Sequence, residues 1–408
     1  MPISQSATKQ SPTNQRARLD RATRGLDGPV AVVDLDAFDA NAAELVRRAG
    51  GVPLRVASKS VRCRALLRRV LDRPGFLGIL AFTVAEAIWL AGEYDDVVVG
   101  YPSAERATIA KLAADPVAAA RVTLMVDSAE GLSLVRRAIA DVPDPATLRV
   151  AIDLDASLRL AAGRVHLGPR RSPVHTVSDA VALARIIVDD PSFRLVGLMA
   201  YEGQVAGMPD RPLGKPLQAP ILRRVKQASV AELTERRGAV VAAVRELADL
   251  EFVNGGGTGS IETTAADPSV TDIATGSGLY APALFDRYDS FRAEPAAYFG
   301  LDVVRRPARG IVTVAGGGWI ASGPPGHDRE PVPTYPGGLR LIGTEGAGEV
   351  QTPLQGHAAD ALHLGDRVWF RHAKAGELCE RVESVHLVAG AEIVESVPTY
   401  RGEGRTFL

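Results

Sequence analysis

Short apolar runs alternate with amphipathic stretches along the first 280 residues of the chain. The apolar runs have the length of buried strands, and eight of them follow a first strand at residues 30–34. These eight predicted strands span residues 54–58, 77–82, 96–100, 122–127, 148–153, 195–200, 251–254 and 272–275. Regular alternation of strands and helices indicates parallel pairing. Eight repeats favour a closed (β/α)8 barrel, and an open doubly wound sheet is the alternative.

The stretches between the strands carry the helical period of apolar residues. They predict helices at residues 37–48, 84–92, 104–114, 129–140 and 177–188, and a long helix at 222–250 for which a break is an alternative. Before the first strand, residues 1–25 are polar, with scattered basic residues and no periodicity. This composition predicts a mobile tail or a draped arm.

Beyond Tyr280 the helical period disappears, and glycine and proline accumulate. Short β-prone runs separated by such turns are typical of a small all-β domain. The change of pattern predicts a boundary within residues 281–305. We therefore expect a barrel over residues 37–290 and a C-terminal β domain over residues 291–408.

Composition excludes several classes of protein. The 408 residues include 47 Lys and Arg against 48 Asp and Glu, so net charge does not indicate nucleic acid or an anionic membrane as a partner. No apolar run approaches the roughly 18 residues of a membrane-spanning helix. The polar N-terminus lacks the apolar core of a signal peptide. Two cysteines, Cys63 and Cys379, cannot build a disulfide framework, and we expect a cytoplasmic location.

Candidate chemistry lies at the ends of predicted strands. Lys59 follows the strand at 54–58, and the carboxyl ends of barrel strands form the catalytic face. Taken alone, a lysine there is more often a solvated residue. Glycine-rich segments at 254–260 and 275–280 end the last two strands, where barrels frequently bind phosphate. A phosphate anchor facing a reactive amine is what pyridoxal 5′-phosphate (PLP) requires.

Residues 29–41, and the chain from Val56-Ala57-Ser58-Lys59-Ser60 onward, resemble the fold-type III PLP enzymes. Within that group the chain is most similar to the D-threonine aldolase and D-serine dehydratase branch, next to alanine racemase. The resemblance implies a (β/α)8 TIM-type barrel with a C-terminal all-β domain, to which residues 26–36 contribute a strand. It also implies a lyase that acts on D-configured β-hydroxy amino acids, and a head-to-tail homodimer.

The resemblance further implies that Lys59 holds PLP as an internal aldimine and, after transaldimination, takes the Cα proton or manages the quinonoid. It places around the phosphate Gly256, Gly257, Thr258, Gly276, Ser277 and Tyr280. Arg159 is our choice for the arginine beside the cofactor. Its competitors are Arg164, Arg170 and Arg171. Tyr201 is expected to line the pocket, and Gln204 stands where the family commonly has a histidine.

Members of this branch carry a metal next to the cofactor, held by a histidine and, two residues on, a cysteine or aspartate. His372 matches the histidine, but the second position is Lys374, which cannot ligate while protonated. We expect a metal-free site in which His372 and Lys374 are catalytic and Lys374 polarises the substrate hydroxyl in place of Mn²⁺ or Zn²⁺. The alternatives are a second ligand from Glu377 or Cys379, and an ordinary strand histidine at 372.

Three other functions are alternatives. Racemisation needs a second acid or base, for which Tyr298 and Tyr335 are candidates. Decarboxylation of basic amino acids ranks low because the Glu-Pro-Gly-Arg signature of those enzymes is absent from the sequence. Non-catalytic PLP carriers resemble the barrel alone, so the C-terminal domain argues against that function.

Overall fold

The computed structural model describes residues 12–161, 163–213 and 219–408. Residues 1–11 of the expected tail therefore lie outside the described residues. The chain divides into two compact units. The barrel unit comprises Ala42–Gly278, Arg287–Arg292 and Thr406–Leu408, and the β unit comprises the chain up to Asn41, Leu279–Asp286 and Ala293–Arg405.

The strands of the described residues are numbered in chain order. They are β1 (Val30–Asp34), β2 (Leu54–Ala57), β3 (Phe76–Ala81), β4 (Val97–Val99), β5 (Val122–Val126), β6 (Leu148–Asp153), β7 (Leu158–Leu160), β8 (Val165–Leu167), β9 (Phe193–Ala200), β10 (Phe252–Gly255), β11 (Asp272–Thr275), β12 (Ala297–Ala308), β13 (Ile311–Ala315), β14 (Val332–Tyr335), β15 (Arg340–Leu341), β16 (Gln351–Gln355), β17 (Arg367–Arg371), β18 (Ser384–Ala389) and β19 (Glu392–Pro398).

The α-helices are numbered in the same way. They are α1 (Pro12–Ala22), α2 (Leu35–Arg48), α3 (Arg64–Leu71), α4 (Val84–Ala91), α5 (Arg106–Ala113), α6 (Pro116–Arg121), α7 (Ala129–Ile139), α8 (Val177–Val188), α9 (Gly203–Ala206), α10 (Ala219–Arg245), α11 (Ile261–Ala265) and α12 (Ser277–Tyr280). Within the described ranges, no helix combines the length and apolarity needed to cross a membrane.

Eight parallel strands close the barrel in the order β10-β11-β2-β3-β4-β5-β6-β9. The circle is completed by β9, which pairs with both β6 and β10. The predicted closed barrel is thus confirmed, and the open-sheet alternative is wrong. The predicted barrel strands agree with the observed ones to within two residues at each end.

The barrel strands are apolar runs because both of their faces are covered. Every residue of β4 and of β5 is buried. A cluster of buried side chains fills part of the barrel: Val98, Met125, Ala151, Val196, Met199 and Phe252. Gly197 on β9 is required there, since an added Cβ would lie 2.4 Å from the Phe252 ring.

One helix and one strand pair complete the comparison with the sequence expectation. The long helix α10 is continuous over 27 residues and ends at Arg245, so no break occurs in it. The antiparallel pair β7–β8 follows β6 where no strand was predicted. Its short, half-exposed strands lack the apolar runs that identify barrel strands.

The β unit is built on a nine-stranded sheet. In this sheet β1 pairs antiparallel with β12 and parallel with β18. Phe299, Val368 and Phe370 belong to its buried core. The first predicted strand therefore lies outside the barrel, and the barrel with a separate all-β domain, predicted from the sequence, is confirmed.

Within the segment expected to form a mobile tail or a draped arm, residues 12–22 form the helix α1. Arg18 of α1 forms a buried ion pair with Asp34 at the end of β1. Leu19 beside it is fully buried in a core cluster of the β unit. Gln15 also donates to Asp34 and Asp20 accepts from the Trp369 indole, so most contacts of this polar helix are polar and give no apolar period in the sequence.

Candidate active site

Lys59 stands where β2 ends and the chain makes a 3-10 turn over Ser58–Ser60. The Ser58 hydroxyl donates to the carbonyl oxygen of Leu80, at 3.2 Å. Arg62 closes the other side of the turn, its Nε donating to the Lys59 carbonyl oxygen at 3.1 Å. The backbone of Lys59 is thus fixed at the carboxyl end of the barrel, while its side chain is exposed.

Tyr101 is the hydrogen-bond partner of the Lys59 amine, through its phenolic oxygen. The Lys59 nitrogen lies 5.0 Å from the centre of the Tyr101 ring. Tyr101 follows β4 by two residues. Our sequence analysis missed this residue, although the strand-end argument that selected Lys59 applies equally to it.

The two glycine-rich loops meet. The Thr258 hydroxyl lies 2.9 Å from that of Thr275 and 3.2 Å from that of Ser277. The second loop also lies against the Lys59 turn, because an added Cβ at Gly276 would stand 2.7 Å from the carbonyl oxygen of Ala57. Close approach of the backbone therefore explains this glycine.

The N–H groups of Gly256 and Gly257 both donate hydrogen bonds to side chains of the protein. Gly256 has a φ of 79°, which favours glycine, and its N–H donates to the buried carboxylate of Glu202 at 2.9 Å. The N–H of Gly257 donates to the Ser260 hydroxyl at 3.2 Å. Both amides thus already have hydrogen-bond acceptors, and the phosphate-binding roles predicted for the two glycines stay predictions.

Tyr201 follows β9, and Arg171 lies beside it. The Arg171 guanidinium carbon is 5.4 Å from the Tyr201 ring centre and 5.9 Å from the Tyr101 ring centre. Burial raises the pKa of Tyr201, and the Arg171 charge opposes that rise. Arg171 thus lies beside both Tyr201, the predicted pocket residue, and Tyr101, the hydrogen-bond partner of Lys59.

Arg159 is engaged elsewhere in the barrel unit. Its Nη2 and Nε donate to one carboxylate oxygen of Asp155, at 2.6 Å and 3.1 Å. Burial acts to raise the pKa of Asp155, but hydrogen bonds from Ser157 and Arg159 outweigh it and lower that pKa. The structure brings Arg171, not Arg159, to the two tyrosines, and the cofactor role of Arg159 stays a prediction.

Gln204 fills the position of the family's histidine as a structural residue. It is 4% exposed, and its amide nitrogen donates to the carbonyl oxygen of Ala156 at 2.6 Å. An amide cannot exchange protons as an imidazole does. A histidine acid or base is therefore missing from this position.

Two carboxyl groups stand side by side at the same end of the barrel. Asp127 and Asp153 follow Val126 and Ile152, which are paired residues of β5 and β6. Burial, aided by the charge of Asp127, raises the pKa of Asp153 to about 7, while Arg171 opposes the rise. The sequence analysis did not select this pair, although two consecutive strands end in aspartate.

In the β unit, His372 and Lys374 follow β17. Burial lowers the pKa of His372, so its ring is neutral and Nδ1–H donates to the Lys374 carbonyl oxygen. The Lys374 ammonium lies 2.6 Å from the Ser322 hydroxyl and 3.2 Å from a carboxylate oxygen of Glu377. Glu377 also accepts from the Ser322 N–H at 2.8 Å.

This donor set does not fit a divalent metal. Beside the single neutral imidazole stands a cation, and Glu377, one alternative ligand, is bound to that cation and to Ser322. The other alternative, Cys379, lies with its sulfur 3.8 Å from the phenolic oxygen of Tyr280, the tyrosine predicted at the phosphate. Among the residues that the structure describes, no three His, Cys, Asp or Glu side chains form a metal-binding cluster.

Comparison with known proteins agrees with this architecture. No protein-family model matches the chain. Its sequence is 28% identical to a D-threonine aldolase of Arthrobacter sp over 326 residues, 76% of this chain and 77% of that enzyme. It is 27% identical to a 3-hydroxy-D-aspartate aldolase of Paracoccus denitrificans over 264 residues, 64% of this chain and 62% of that enzyme.

Solved structures show the same fold. The D-threonine aldolase of Filomicrobium marinum superposes with a TM-score of 0.75 at 22% identity, over 92% of this chain and 95% of that one. The D-threo-3-hydroxyaspartate dehydratase of Delftia sp. HT23 gives 0.66 at 19% identity, over 93% and 98%. Alanine racemase of Bacillus anthracis gives 0.61 at 15%, over 93% and 99%.

The protein thus has the alanine racemase-like fold of the fold-type III PLP enzymes. Within that class, its sequence is similar to a D-threonine aldolase and to a 3-hydroxy-D-aspartate aldolase. The predicted resemblance to the D-threonine aldolase branch is thus confirmed.

Proposed function

We propose that this protein is a PLP-dependent lyase that acts on D-configured β-hydroxy amino acids. The observation that carries the proposal is the placement of the Lys59 amine and the Thr258 and Ser277 hydroxyls at one end of the same barrel. An amine and hydroxyl donors suit an aldehyde that carries a phosphate. The aldolase relatives support the substrate class.

The residues of the barrel unit have distinct tasks in this proposal. Lys59 binds the aldehyde carbon through Nζ, and Thr258 and Ser277 donate to the phosphate. Bound PLP supplies an electron sink for the bond that breaks at the substrate Cα. Arg171 orients the groups around Lys59, because it lies beside the rings of Tyr201 and of Tyr101, the hydrogen-bond partner of the Lys59 amine. Tyr201, which follows β9, has the same task.

Two routes fit this arrangement. In β-elimination a base removes the Cα proton, and the β-hydroxyl leaves as water. In aldol cleavage a base removes the proton of the β-hydroxyl, and the Cα–Cβ bond breaks. Lys59 is the base that we propose for the Cα proton, because an unprotonated amine accepts a proton through the lone pair of its nitrogen.

Racemisation gains no support from the two tyrosines considered for it. Tyr298 is 2% exposed and lies in a core cluster of the β unit. Its ring centre is 5.8 Å from that of Tyr335, which packs against the same cluster. A second acid or base requires access to the substrate, which a core position does not provide.

The proposal includes a reaction that needs no divalent metal. Lys374 occupies the second ligand position, and its ammonium repels a cation there while it is paired with Glu377 and Ser322. The catalytic roles of His372 and Lys374 that the resemblance implies remain part of this proposal. Activity should be unchanged by EDTA, whereas a loss of activity that Mn²⁺ or Zn²⁺ restores would contradict metal independence.

A spectrum and a product assay test the function. Purified protein should show the visible absorbance band of covalently bound PLP, and Lys59→Ala should lack both this band and activity. Incubation with D-threonine, D-serine and D-threo-3-hydroxyaspartate distinguishes the reactions by their products. Glycine with an aldehyde indicates aldol cleavage, ammonia with a keto acid indicates elimination, and an L-isomer indicates racemisation. A wild type that binds no PLP would contradict the whole assignment.

Three further expectations belong to the same proposal: the cytoplasmic location, the head-to-tail homodimer, and the chain division at residues 290 and 291. Sedimentation of the purified protein would test the dimer. Fractionation of the host cell would test the location, and limited proteolysis near residue 290 would test the division.

A further inference from the structure

Tyr101 contacts the atom at which the proposed chemistry starts. The Lys59 amine is hydrogen-bonded to the phenolic oxygen of Tyr101. Lys59 follows β2 and Tyr101 follows β4, and β3 pairs with both of these strands. The two side chains therefore reach each other across one intervening strand at the carboxyl end of the barrel.

The backbone in front of Tyr101 is held in place. The N–H of Gly100 donates to the carbonyl oxygen of Ala81 on β3, at 2.8 Å. An added Cβ at Gly100 would lie 3.1 Å from the Leu80 side chain, so a glycine lets the chain pass this close to β3. On the Lys59 side, the Ser58 hydroxyl ties the turn to the same strand. The contact between amine and phenol is thus built from two fixed strand ends.

We infer that Tyr101 is a further catalytic residue, which transfers protons to and from the Lys59 nitrogen. The inference rests on the proposed function, because it concerns the attachment and release of Lys59. A phenol donates and accepts through one oxygen, and this oxygen lies within hydrogen-bond reach of the reacting amine.

The proton balance defines the task. An ammonium has no lone pair, so Nζ loses one proton before it attacks the aldehyde carbon of PLP. A C=N bond then replaces the C=O bond, and the carbonyl oxygen leaves as water with the two hydrogens that remained on Nζ. When a substrate amine displaces Lys59, the C–N bond to Nζ breaks and Nζ takes up the hydrogens that the substrate nitrogen gives up. Tyr101 accepts a proton from Nζ while its own passes to solvent, and the reverse transfer returns one.

Arg171 supports this role without contacting the amine. Its guanidinium lies beside both tyrosine rings, at 5.9 Å from Tyr101 and 5.4 Å from Tyr201. A cation over an aromatic face restrains the ring. We therefore describe Arg171 as a positioning residue for Tyr101.

The test mixes apoprotein with PLP and follows the appearance of the visible absorbance band. Tyr101→Phe removes the phenolic oxygen and keeps the ring, and Tyr94→Phe makes the same change before β4, at the other end of that strand. We expect Tyr101→Phe to slow both band formation and turnover about 10²-fold at unchanged final PLP occupancy. Tyr94→Phe should behave as wild type. Added imidazole, a diffusible proton carrier, should restore part of the rate in Tyr101→Phe only.

Three results would overturn the inference. They are a Tyr101→Phe protein as fast as wild type, a slow one that imidazole does not rescue, and equal impairment of Tyr101→Phe and Tyr101→His. Histidine can carry a proton, so Tyr101→His should retain more activity than Tyr101→Phe. If Tyr101→Phe does not fold, the comparison of Tyr101→His with wild type tests the proton transfer instead. A wild type that binds no PLP at Lys59 would instead contradict the proposed function.

Discussion

The hydroxyl oxygen of Thr258 lies 3.2 Å from that of Ser277, although 19 residues separate them in the chain. Thr258 follows β10 and Ser277 follows β11, and these strands pair in parallel. Gly278 adds its N–H to the cluster, donating to the Thr258 hydroxyl at 3.1 Å. Parallel pairing thus gathers polar groups from two loops into one donor cluster.

Thr258→Val should weaken the binding of PLP about tenfold or more. A hydrogen bond to a charged group contributes roughly 1.5–3 kcal/mol, and valine keeps the shape of threonine while it removes the hydroxyl. Absorbance titration of apoprotein measures the dissociation constant. Pyridoxal, which lacks the phosphate, serves as the second ligand, and its affinity should be the same for wild type and variant.

The matched control is Thr263→Val. Thr263 is an exposed residue of α11, and its hydroxyl donates to the Ser260 carbonyl oxygen at 3.0 Å. It should bind PLP as wild type does. If Thr258→Val lost pyridoxal and PLP affinity equally, the hydroxyl would support the loop rather than the phosphate.

Arg171→Met should impair PLP binding or turnover by about tenfold or more, because it removes the cation beside Tyr101 and Tyr201. Arg159→Met should act on stability instead. The substitution removes the ion pair between Arg159 and the carboxylate of Asp155, whose side chain is 3% exposed. The free energy of unfolding should therefore fall by about 1–3 kcal/mol. Urea unfolding and PLP titration of both variants separate the two effects. A PLP defect confined to Arg159→Met would favour the assignment made from family resemblance.

Arg171 shows the limit of what the sequence predicted about the site. The barrel was predictable because its strands are buried on both faces and therefore appear as apolar runs. Lys59 was predictable because it directly follows such a run. Arg171 was named only as a competitor of Arg159, and the choice between them was not predictable, since the β7–β8 hairpin lies between β6 and Arg171. The spacing of residues in the sequence cannot show which arginine a β-hairpin places near the carboxyl ends of the barrel strands.

Two other omissions have a different cause. Tyr101 and Asp153 follow or end barrel strands just as Lys59 does. Their side chains match no family motif that we considered, and the strand-end argument was applied only to residues of known chemistry. The burial and the neighbouring charge that change the pKa of Asp153 depend on three-dimensional contacts.

Asp153→Asn should change the pH dependence of stability. The folded-state pKa of Asp153 is about 7, well above its ordinary value, because burial and Asp127 disfavour the charged form. The protonated carboxyl therefore contributes stability that is present below about pH 4 and is lost as the pH rises through about 7. Relative to wild type, the free energy of unfolding of Asp153→Asn should increase between about pH 5 and about pH 8, since each pKa unit corresponds to about 1.4 kcal/mol.

Urea unfolding of the apoprotein at both pH values provides the measurement. Asp95→Asn is the control, because the Asp95 side chain is 84% exposed and its pair with Arg121 lies at the surface. Its pH dependence should follow that of wild type. Parallel curves for wild type and Asp153→Asn would show that the carboxyl is ionised normally in the folded protein.

Lys374→Asp should create a metal site beside His372. The change replaces an ammonium by a carboxylate two residues after His372 and beside Glu377, which gives one imidazole and two carboxylates. These donors suit Mn²⁺ or Zn²⁺. Elemental analysis after dialysis should find about one ion per chain in the variant, none in wild type, and none when His372→Ala is added. Equal metal content in wild type and variant would show that Lys374 does not exclude the ion. A folded variant that binds no metal would show that Lys374 is not what prevents binding.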